Sequence, residues 1–74
     1  MAKRLKVGDA VRMNVAGDIL MDAELHAMYH RQEAGEALEV KLHCRDGRYL
    51  VGVVADEKPH LWVKLAKRNI DPVA

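Results

Sequence analysis

Residues 21–30 read MDAELHAMYH, and two backbone conformations of this decapeptide lead to different proteins. Wound as a helix, it sets His26 and His30 one turn apart, within reach of a single metal ion. Extended as a strand, it carries them about 13 Å apart at ~3.3 Å per residue, too far for one ion. Apolar residues take the odd positions Met21, Ala23, Leu25, Ala27 and Tyr29; Asp22, Glu24, His26 and His30 alternate with them, and Met28 is the exception. The rival helical face through Leu25, Met28 and Tyr29 runs on into polar Gln32, although Ala, Glu, Leu and Met are good helix formers. Burial pattern ordinarily overrides propensity, so the alternation decides for a strand.

The same parity continues outward. Leu38, Val40, Leu42 and Cys44 alternate with Glu39, Lys41 and His43, and RYLVGVVA follows after Asp46-Gly47, a strong hairpin signal. Upstream, Val11, Met13 and Val15 alternate with Arg12 and Asn14; downstream of Pro59, Leu61, Val63 and Leu65 alternate with Trp62 and Lys64. A two-residue turn at Asp46-Gly47 sets Cys44 opposite Tyr49, Leu42 opposite Val51 and Val40 opposite Val53. A loop centred on Glu33-Ala34 sets Tyr29 opposite Leu38, Ala27 opposite Val40, Leu25 opposite Leu42, Glu24 opposite His43 and Asp22 opposite Arg45. Apolar and charged pairs agree in one register, as a sheet requires. The expected class is all-β: one domain over 1–74, with five strands at roughly 9–16, 20–30, 37–45, 48–55 and 60–65. The tail KRNIDPVA is expected to add a turn and a short edge contact.

On these residues the chain resembles an SH3-like small barrel of the KOW/Tudor kind. The resemblance spans residues 7 to 65: VGDAVRM opening the first strand, Ala23 and Leu25 in the second, LEVKL in the third, and DGR at the tight hairpin. DGRYLVGVV is also similar to the second hairpin strand of Sm-like barrels. The resemblance implies a binding role of the sort such barrels have in transcription elongation factors, ribosomal proteins and small phage proteins that grip host machinery. Catalysts are rare among them.

Composition narrows the chemistry. The chain has no Ser, Thr or Phe, which excludes hydroxyl nucleophiles and the P-loop. Tyr29, Tyr49 and Trp62 are too few for an extended base-stacking platform. A lone Cys44 forms no internal disulfide, and with no apolar run of membrane-spanning length the expected location is cytoplasmic, with no membrane partner. On the strand reading the His26/His30 pair is no metal site, and Cys44 faces inward as a small hydrophobe. No metal, cofactor or catalytic residue is therefore expected, and the chain is read as not an enzyme.

Charge is uneven although the net is +1. Asp18, Asp22, Glu24, Glu33, Glu36 and Glu39 dominate the first half, with Arg31 the only Lys or Arg between residues 18 and 39. If the termini lie together, Lys3, Arg4, Lys6, Lys64, Lys67 and Arg68 form a basic patch able to bind RNA or DNA; otherwise they are simply a solvated surface. The inward set leaves Met28, Leu50, Val54 and Trp62 outward. They form a protein contact site unless Leu5, Val7, Ile70 or Val73 covers them. The expected function is a non-catalytic interaction module, a monomer or weak homo-oligomer. It would contact RNA polymerase or an associated factor through Met28, Leu50, Val54, Trp62, Lys64, Lys67 and Arg68. Direct nucleic-acid binding is the alternative. A phage or mobile-element regulator fits the size.

Overall fold

A computed structural model of the protein describes residues 5–14 and 21–73. Its largest departure from expectation is at the decapeptide, where α1 runs over Ala23–Glu33. Asp22 caps it: the carboxylate Oδ1 accepts from the N–H groups of Glu24 at 3.0 Å and Leu25 at 3.1 Å. At the other end Gly35 takes φ +100°, its N–H donates to the Gln32 carbonyl, and the Glu36 N–H donates to that of Arg31. That pair of bonds is a Schellman stop, which favours glycine because a side chain strains the left-handed region. Tyr29 donates to Glu33 one turn on.

Helix won because its buried stripe is narrow and its one polar member has a partner. Met28, the exception to the alternation, is the buried residue, with Leu25 and Tyr29 packed beside it. Gln32, which made the helical face look broken, bonds the end of β1. It accepts from the Met13 N–H at 2.5 Å and donates to the Met13 carbonyl at 3.1 Å. Its amide thus serves as a backbone surrogate where the strand ladder ends. The expected strand at 20–30 and its pairing with 37–45 are corrected accordingly. Residues 15–16 and 20, also assigned to strands from the sequence, lie outside the described residues.

Among the described residues five antiparallel strands nevertheless form one sheet: β1 Ala10–Met13, β2 Leu38–His43, β3 Tyr49–Val53, β4 Val63–Leu65 and β5 Ile70–Pro72, in the order β4-β3-β2-β1-β5. The fifth comes from the tail, where a turn (Lys67–Asn69) and an edge pairing with β1 both occur. A flat sheet of this width would hold its edge strands about 19 Å apart. Residues 66–69 alone join β4 to β5, and three of them are in a 3₁₀ turn rising only about 2 Å per residue. The sheet must therefore curl until its edges approach. The result is barrel-like, but no β4–β5 ladder closes it.

The β2–β3 hairpin shows a second correction. Among the described residues no non-glycine has positive φ, so Asp46-Gly47 cannot be a type I′ turn. Instead the Gly47 N–H donates to the Cys44 carbonyl at 3.1 Å, Gly47 takes φ +86°, and the Cys44 N–H donates to the Arg48 carbonyl at 2.8 Å. This three-residue loop moves the register by one, pairing His43 with Tyr49 and Leu42 with Leu50. The register then shifts again between Val40 and Leu42, so that Val40 pairs with Val51 and Leu38 with Val53. Lys41 is the extra residue of a bulge. As a result Leu42, expected inside, is 49% exposed, and Cys44 is only half-buried.

Val11, Leu38, Val40, Val51 and Leu65 line the concave side of the sheet, and Met28 enters from α1.

Candidate docking surface

On β3 the side chains of Tyr49, Val51 and Val53 point inward, so Leu50 and Gly52 face out, and Val54 just past the strand is exposed. The bulge at Lys41 brings Leu42 directly opposite Leu50 on that outer side. Trp62 completes the surface. The 3₁₀ turn Pro59–Leu61, with proline fixing φ at its start, delivers Trp62 over β3. The indole Nε1 donates to the Asp56 carbonyl at 2.8 Å. The ring is packed against Gly52, where a Cβ would sit 2.5 Å from Trp62 Cδ1. Lys41 stands 5.7 Å from the ring centroid, and its ammonium donates to Glu39 at 2.6 Å and to the Val54 carbonyl at 3.3 Å. Leu42, Leu50, Val54 and Trp62 thus share the outer face, with Lys41 laid over part of it and Lys64 across from Leu50.

Three of the four expected apolar contact residues, Leu50, Val54 and Trp62, are therefore on one face. Met28 is not, being 3% exposed in the core. A strand would have turned Met28 outward; the helix turns it in. The expected covers do not act as such. Leu5 and Ile70 are core residues, while Val7 and Val73 are themselves exposed. Leu42 was missed because the bulge that releases it has no marker in the sequence beyond a turn motif with more than one geometry.

A cleft of about 230 Å³ borders Trp62 between α1 and residues 59–63. Ala27, Leu61 and Trp62 form its apolar walls, Met28 reaches it from the core, and Glu24 and Arg31 stand at its edge. Arg31 ties the helix to the segment that holds Trp62: it bonds Glu36 at 2.8 Å and Asp56 at 2.6 Å. The Arg31 guanidinium draws the Glu36 carboxyl below the usual carboxylate range.

Of the cations proposed for nucleic acid, Lys3 and Arg4 lie outside the described residues. Lys6 is in the loop before β1, its N–H donating to Asp9 at 2.8 Å, and Lys67 is exposed on the last 3₁₀ turn. Lys64 and Arg68 share the wall of a second pocket with Arg48, beside Leu25 and Asn69. Asp46 faces Lys64 at 3.0 Å and accepts from the Arg48 N–H; the ammonium first, then that N–H, lowers its carboxyl.

Among the described residues no three His, Cys, Asp or Glu side chains gather as a metal cluster, and no helix is long and apolar enough to cross a membrane. Comparison with protein-family models, curated proteins and solved structures finds no match to this chain.

Proposed function

We infer that the chain is a non-catalytic docking module that grips a protein through the outer face of β2 and β3. The observation that carries this reading is the Lys41 bulge. It places Leu42 opposite Leu50 on the solvent side of a domain that already has a core, on the same face as Trp62, which lies over Gly52 two residues further along β3. Isolated exposed hydrophobics need no explanation, but a leucine pair on the face that also carries a tryptophan held by its own hydrogen bond has the make-up of a binding hot spot. Lys41 and Lys64 at its rim are already paired with Glu39 and Asp46, so the anchor expected of the partner is apolar. The likeness to KOW/Tudor barrels supports a partner in the transcription machinery, RNA polymerase or an associated factor, in the cytoplasm.

The test is binding to purified RNA polymerase and its elongation factors. Leu42→Glu and Val54→Glu alter residues half exposed to solvent, so the fold is expected to survive both. Each should weaken binding at least tenfold, with Val7→Glu as an exposed control that does not. Equal binding by all variants would overturn the surface, and no binding by the wild type would overturn the partner.

A second reading rests on the convergence of Arg48, Lys64 and Arg68 on one pocket. It is nucleic-acid binding, and it requires affinity that falls steeply with salt, with a slope set by the phosphates contacted. Titrating RNA and duplex DNA at two salt concentrations separates the two.

A further inference from the structure

The winding of residues 23–33 brings His26 and His30 back onto one face of α1. Their ring centroids are 4.4 Å apart and the planes are inclined at 43°. Two imidazoles on one divalent ion, with bonds of about 2 Å, hold their ring centres roughly 4–5 Å apart. The side chains therefore already stand near the separation that chelation needs. His26 is half-buried and His30 is exposed, so one ring is restrained while the other opens the site to solvent. The helix beneath them is fixed at both ends, by the Asp22 cap and the Gly35 stop. The donor set is two imidazole nitrogens. That suits late first-row divalent ions and disfavours calcium and magnesium, which require oxygen.

We propose that His26 and His30 form an open, two-imidazole site for a late first-row divalent ion of the copper, nickel or zinc class. One ion binds per chain, with water in the remaining positions. Among the described residues no third His, Cys, Asp or Glu side chain joins them, so the site stays open to exchange. Copper(II) binds most tightly, following the general order of divalent affinities. Because both ligands are one turn apart only when the segment is helical, the ion stabilises α1 and, through Met28, the fold. The site is independent of the docking reading, because it rests on the geometry of α1 alone.

The experiment is calorimetric titration of the full chain with nickel(II) chloride, and separately with zinc chloride. It is paired with thermal unfolding with and without the ion. The chain has four histidines, so His43→Ala and His60→Ala serve as controls for His26→Ala and His30→Ala. The expected result is one ion per chain and a raised midpoint for the wild type and both controls. His26→Ala and His30→Ala should each lose at least tenfold in affinity and all of the midpoint shift. Should half-buried His26→Ala unfold, exposed His30→Ala decides alone. Unchanged binding by His30→Ala, loss of binding by His43→Ala or His60→Ala, or half an ion per chain in a dimer would each overturn the site.

Discussion

Gly52 and Trp62 are a matched pair. The ring occupies the space a Cβ would take, and its indole N–H holds the Asp56 carbonyl. Gly52→Ala should therefore lift the indole off the sheet, at a cost of about 1–3 kcal/mol from overpacking. Urea unfolding and a red shift of Trp62 emission measure it; an unchanged spectrum would show that the ring does not rest there. Trp62→Ala mixes lost packing with lost contact, which makes Leu42 and Val54 the cleaner residues for testing binding. Met28→Ala leaves a void in the buried core and should destabilise by about 2–5 kcal/mol. A loss under 0.5 kcal/mol would place Met28 at the surface instead. Asp46 and Glu36 carry depressed carboxyls, Asp46 through Lys64 and Glu36 through Arg31. Their contribution is complete above the ordinary carboxylate range and is lost as pH falls through the lower folded values. Urea midpoints should therefore decline below about pH 4. Asp46→Asn should flatten that decline; a decline as steep as the wild type's would remove the Lys64 pair from the account.

At the level of elements, α1 was legible in its ends and obscured in its middle. Asp22 and, after eleven intervening residues that include Ala, Glu, Leu and Met, Ala34-Gly35 mark a capped and stopped helix. The alternation from Met21 to Tyr29 competed because alanine fits either count. On an alternating strand Ala23 and Ala27 would face inward, yet both are exposed, while Met28, the exception to the alternation, is buried. The role of Gln32 could not be read from periodicity, because a polar residue on the buried face reads as a break until its backbone partner is known. The caps make their own prediction. Asp22→Ala should cost about 1 kcal/mol and Gly35→Ala a similar amount, both measured by urea unfolding followed in the helical far-UV signal. Values near zero at both sites would argue against a helix ending there. The β2–β3 hairpin was legible as a hairpin, and its inward residues Val40, Tyr49, Val51 and Val53 hold. Its register was not legible, since Asp-Gly serves two-residue and three-residue loops alike and the Lys41 bulge follows from neither.

For the molecule as a whole, an all-β class with five antiparallel strands holds, yet one expected strand became α1 and the tail supplied β5. The exchange matters for the site. With the helix packed against β1 and β4, the core gains Met28 and the outer face of the sheet stays uncovered by α1. The outward set of Leu50, Val54 and Trp62 was readable because β3 and β4 keep their period of two; Leu42 and Met28 exchanged sides because the bulge and the helix each break it. A solvent paramagnetic relaxation measurement on the methyl groups of the full chain tests this arrangement most directly. The account predicts strong enhancement at Leu42 and Val54, with Met28 as protected as Val51. Strong enhancement at Met28 together with protection of Leu42 would restore the alternating strand and contradict the docking face.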